Sequence, residues 1–126
     1  MEIAATVAVG LLVVVAVFQL ALALGAPFGK AAWGGVHDGV LPARLRAASA
    51  FVGLVVYPAV IAVVLSASGV IDADLVPGRG AVTMWVLTAI FLLGAMANAV
   101  SRSRVERWWA LVSLTIALCC GAVAGS

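Results

Sequence analysis

From Ile3 to Ala26 the chain carries no charged side chain, and Gln19 is its one strongly polar group. A helix needs about 20 apolar residues to cross the hydrocarbon of a bilayer. In lipid the backbone can satisfy its N–H and C=O groups only internally, as helices or closed barrels do. Such a run fixes the solvent before it fixes the fold. Three more largely apolar helices follow, over about 42–70, 81–100 and 104–124, with any charges confined to their opening residues. With the first, at about 3–26, they predict an all-α integral membrane four-helix bundle, a single four-span transmembrane domain over 1–126. The composition agrees: 66% of residues are hydrophobic, 10% are charged and the mean hydropathy is +1.28. A soluble domain is roughly 25% charged. Ala21-Leu22-Ala23 has the look of a signal-peptide end. But Glu2 opens the segment where Lys or Arg is expected, and the run exceeds the usual signal core, so it reads as a retained helix.

The connections are short and differ in character. Pro27, Gly29, Gly34, Gly35 and Gly39 break any helix between Ala26 and Leu41, and Lys30, His37 and Asp38 make that stretch polar. Phe28 and Trp33 suit the headgroup zone. Pro42 fits the first turn of the second helix, where its missing N–H costs nothing. Pro58 falls mid-span; it removes the bond to the Leu54 carbonyl and predicts a kink. Asp72, Asp74, Pro77, Gly78 and Arg79 mark a turn-rich second connection. In the third, Ser103 and Glu106 have capping-box spacing, and Trp108 and Trp109 follow at the interface.

Lys30, Arg44, Arg46, Arg102, Arg104 and Arg107 lie in or beside the first and third connections; Arg79 alone lies in the second. Cytoplasmic loops carry the excess of Lys and Arg. The first and third connections are therefore expected on the cytoplasmic side of the cell membrane, with both termini outside.

Several functions find no support. There is no basic stripe interleaved with aromatics for nucleic acid. Cys119 and Cys120 are neighbours in an apolar run, where Cys packs as a small hydrophobe, and no spacing suggests a metal site or a cofactor. His37-Asp38 could do acid–base work, but no nucleophile stands near them; a polar loop is the plainer reading, and no catalytic residue is assigned. Trp33-Gly34-Gly35-Val36-His37 could approach a phosphate, yet it lacks Walker and Rossmann spacing. No Asp, Glu, Lys or Arg falls within the apolar stretch of a span, which is expected to disfavour ion-coupled transport. Gln19, Tyr57 and Asn98 remain as candidate intramembrane polar contacts. Pairs of small residues four apart, such as Gly121 and Gly125 or Ala95 and Ala99, suit close helix packing.

Gly25-Ala26-Pro27-x-Gly29, Ala32-Trp33-Gly34-Gly35-x-His37, Leu41-Pro42-x-x-Leu45-Arg46-x-x-Ser49 and Asn98-x-x-Ser101-x-Ser103-x-x-Glu106-Arg107 form a pattern over nearly the whole chain. It resembles small, uncharacterised four-span membrane proteins of high-GC bacteria. The resemblance implies no activity. It implies that the first and third connections form the functional face.

A cluster of Trp33, Gly34, Gly35, His37, Arg46, Asn98, Arg104 and Glu106 is accordingly expected there, since two loops at one end of a narrow bundle must be neighbours. Asn98 is expected to bond the Gly34-Gly35 backbone, and an arginine to pair with Glu106. The leading functional expectation is a non-catalytic packing or interaction module, with membrane lipids and either another membrane protein or a second copy as partners. A small oligomeric transporter or channel is the alternative, which a polar cavity within the span would favour. A headgroup-acting enzyme using His37 and Asp38 ranks third.

Overall fold

In a computed structural model the chain is described over residues 2–71, 75, 80–101 and 103–125. Asp72, Asp74, Pro77, Gly78, Arg79 and Arg102 lie outside the described residues. So do the turn reading of the second connection and the share of Arg79 and Arg102 in the charge count.

The first span is α1 (Glu2–Ala23). The second comprises α2 (Ala43–Phe51), a π turn (Val52–Val56) and α3 (Tyr57–Ala67). The third is α4 (Ala81–Ala99) and the fourth α5 (Arg104–Ala124). All four spans are long and apolar enough to cross a membrane, and no strand occurs among the described residues. The protein is an all-α membrane four-helix bundle.

Ala5, Ala8, Leu12 and Ala16 recur every three or four residues and form the buried stripe of α1. Three of the four are alanines, which let neighbouring backbones approach closely. That stripe places α1 between the second span and α5, while α5 also carries α4. The seam between the second span and α4 is the least packed. The main core joins Leu12 to Val64, Met84, Ile116 and Cys120. Val14, Val17, Leu54, Leu93 and Leu118 point outward, where hydrocarbon removes the cost that water would impose.

Two helix boundaries have a local cause. The apolar run continues to Ala26, but α1 stops at Ala23 because Gly25 adopts φ +101°. The Ala26 amide donates to the Ala21 carbonyl and the Gly25 amide to that of Leu22, a Schellman ending. The Arg46 Nε donates to the Ala23 carbonyl at 3.1 Å, placing a cation at the negative end of the helix.

A π turn precedes Pro58, and the span continues through it without a break. The Tyr57 amide donates to the Val52 carbonyl, five residues back, and Pro58 begins the next α-helical turn. Single π turns absorb one extra residue without ending a helix. Gly53 sits within this turn against α1. A Cβ there would lie 3.0 Å from Leu20 Cγ and 3.1 Å from the Ala16 carbonyl oxygen.

Candidate functional site

The first connection folds back over one end of the bundle. Gly29 donates its amide to the Gly39 carbonyl at 2.7 Å, closing the loop at its base. Leu22, Ala32 and Leu41 make a small apolar core beneath it, with Phe18 and Leu45 packed alongside. At its tip Trp33, Gly34 and Gly35 have φ of 52°, 84° and 70°. Glycine accepts such values freely. Trp33 does not, and left-handed backbone at a side-chain-bearing residue costs about 1–3 kcal/mol and persists only where its surroundings hold it.

Three ties hold it. The Trp33 indole Nε1 donates to Ser49 Oγ on α2 at 2.9 Å. The Gly34 amide donates to Glu106 Oε2 on α5 at 3.0 Å. Gly35 lies so close to α5 that a Cβ would come within 2.6 Å of Ser103 Cβ.

Ser103 and Glu106 make only half of a capping box. Ser103 Oγ accepts the Glu106 amide at 3.2 Å, as the spacing predicts. The Glu106 carboxylate does not return to the Ser103 amide, which donates to Ser101 Oγ instead. It reaches across to Gly34 and is buried, with 5% of its surface exposed.

Of the expected cluster, the structure joins Trp33, Gly34, Gly35, Asn98 and Glu106. The details differ from expectation in three places. Asn98 makes no side-chain bond to the Gly34-Gly35 backbone; that role belongs to Glu106, which reaches it directly from the first turn of α5. No arginine pairs with Glu106 among the described residues. Arg46 is drawn instead to the carbonyl end of α1, and Arg104 is exposed on the outer side of α5 with Arg107 and Trp108. His37 lies apart: its carbonyl packs beside Gly29, and neither its ring nor Asp38 lines the recess or the cavity described next.

Within the spans, under the loop tip, lies a cavity of about 350 Å³. Gln19 of α1, Tyr57 of the second span and Asn98 of α4 all face it, so the three candidate intramembrane polar residues share one chamber. Its remaining walls are mostly apolar and aromatic, including Phe18, Phe91 and Trp109. Phe18 and Trp109 pack ring to ring at 4.9 Å. Such a space is in the range of small-molecule sites, which run about 300–1,000 Å³ and combine apolar walls with a few polar groups. A second recess opens at the loop face, walled by Gly34, Val36 and Ser101. Trp33, Asn98 and Glu106 border both spaces and so stand between the loop face and the chamber.

Two polar atoms in the chamber walls, Gln19 Oε1 and Trp109 Nε1, are buried without a hydrogen-bond partner among the described residues. Buried polar groups are nearly always paired, so each such atom calls for an explanation. Ser113, by contrast, is satisfied: its hydroxyl donates to the Phe91 carbonyl at 2.7 Å and ties α5 to α4. Sequence reasoning missed Ser49, Trp109 and Ser113. A serine four residues before Gly53 was the available signal for Ser49. Nothing marked Trp109 as facing inward rather than into the headgroups.

No family model, no curated protein and no solved structure matches this chain.

Proposed function

We propose that the protein binds a small molecule inside its helix bundle, as a small transporter or channel does, rather than serving only as a packing module. The chamber carries this reading, because it collects Gln19, Tyr57 and Asn98 at one apolar-walled space. Trp33, Asn98 and Glu106 form the passage between it and the loop face. The distribution of Lys and Arg supports a cytoplasmic loop face, with both termini outside. The helix-packing alternative draws less support from the small-residue pairs. Gly121 packs within the chain against Trp85 and Thr88 of α4, and Ala95 is buried.

Native mass spectrometry from gentle detergent tests the reading. The wild-type protein is expected to carry or take up small molecules that Val15→Trp, which fills the chamber wall, does not, with helicity unchanged. Identical spectra for the two proteins would overturn it.

A further inference from the structure

Among the described residues the chamber has one acidic group and no basic one: Glu106 borders it with 5% of its surface exposed, and none of the lining residues is Lys, Arg or His. Neither does any Lys, Arg or His pair with Glu106 among the described residues. A buried carboxylate without a cationic partner is costly, because desolvation is not repaid by attraction. Gly34 occupies one position on Oε2, and a carboxylate has about four acceptor sites. The rings of Trp33, Tyr57, Phe91 and Trp109 line the same chamber. The faces of such rings attract cations, tryptophan most strongly, and more so once desolvated. Gln19 Oε1 adds an acceptor in the chamber wall that has no partner among the described residues. Lys30, Arg44 and Arg104 belong to the same end of the molecule but are exposed, where salt screens them beyond about 8–10 Å.

Resting on the binding reading above, we propose that the ligand is an organic cation: an ammonium head on an apolar body small enough for the chamber. The head sits between Glu106 and the Trp33 indole, and its N–H donors also reach toward Gln19. The body occupies the space walled by Phe18, Phe91 and Trp109.

The test compares 4-phenylbutylamine, charged at neutral pH, with the near-isosteric neutral 4-phenylbutan-1-ol. Binding is measured by calorimetry on the full chain in nanodiscs, with empty nanodiscs subtracted. The alcohol is a demanding control, since its hydroxyl can serve both Gln19 Oε1 and Trp109 Nε1. The amine is expected to bind the wild-type protein about tenfold tighter or more, the scale of one desolvated cation contact. Glu106→Gln, which keeps an acceptor for the Gly34 amide, is expected to bring the amine-to-alcohol ratio to about one, and a wild-type ratio in this variant would overturn the role of the carboxylate. Equal binding of the two probes by the wild-type protein, or tighter binding of the alcohol, sinks the cation assignment and leaves the chamber as a binding site. Failure of both probes to bind sinks the assignment and the binding reading together. The wild-type ratio decides the matter even if the variant does not fold.

Discussion

The Gly34 amide and the Glu106 carboxylate meet at 3.0 Å across 72 residues of sequence, joining the tip of the first connection to the first turn of the last helix. A hydrogen bond to a charged or buried partner contributes about 1.5–3 kcal/mol, and a buried donor left alone costs a similar amount. This bond therefore bears on whether the loop stays folded over the bundle. Glu106→Ala is expected to loosen the loop tip and lower stability by about 1–3 kcal/mol, with Glu106→Gln much closer to wild type. Amide hydrogen exchange at Gly34 is the direct measurement. Equal protection in the Ala and Gln variants would show that the carboxyl group does not hold the loop.

Gly35→Ala tests the same docking from the other side. The added Cβ would fall 2.6 Å from Ser103 Cβ, at a residue with φ +70°. Both the strain and the clash oppose it, and the expected loss is about 1–3 kcal/mol. Limited proteolysis within residues 29–39 should become faster while the helix content is kept. An unchanged digestion pattern would mean that the loop and α5 do not depend on this contact.

The span count, the short connections and the neighbourhood of the first and third loops were all legible in the sequence, because lipid demands long uncharged helices and a bundle end is small. The partner assignments were not. Glu106 bonds an amide that any residue but proline would offer, so nothing in the sequence at Gly34 advertises it. Arg46 answers to the carbonyl end of α1, whose position depends on the Schellman turn at Gly25. Gln19, Tyr57 and Asn98 stood out as polar residues in apolar runs, but their meeting at one chamber is a product of packing. The rotation of each helix about its axis sets it, and the weak periodicity of a lipid-facing helix does not.

Ser113→Ala removes a cross-helix bond of 2.7 Å to the Phe91 carbonyl. Such bonds within membranes contribute about 0.6–2 kcal/mol. A destabilisation in that range is expected in denaturant titration in mixed micelles, with α4 separating more readily from α5. No measurable change would show that the Phe91 carbonyl is adequately satisfied by its own helix.

Orientation is open to labelling from either side of the membrane. Val36 in the first connection and Leu75 in the second are both exposed. In a background with Cys119 and Cys120 replaced by alanine, Val36→Cys is expected to react only from the cytoplasmic side, and Leu75→Cys only from outside. The reverse pattern would invert the topology.

The π turn at Val52–Val56 has a consequence for how the second span can be altered. It holds one residue more than a regular turn, so the helix after it is rotated by about 100° from where an uninterrupted α-helix would point. Ser49, which holds Trp33, and Val64, which fills the core against α1, fall within about 40° of each other around the span once the extra residue is absorbed, so both are buried on nearly the same face. The π turn thus joins two regular segments whose buried residues face the same way, with Gly53 packed tightly on α1. Pro58→Ala leaves the residue count intact and should leave both phases intact as well. Deleting Val55 is a different operation: it would take out the extra residue and restore a continuous helix while keeping Ser49 and Val64 in the same relative phase.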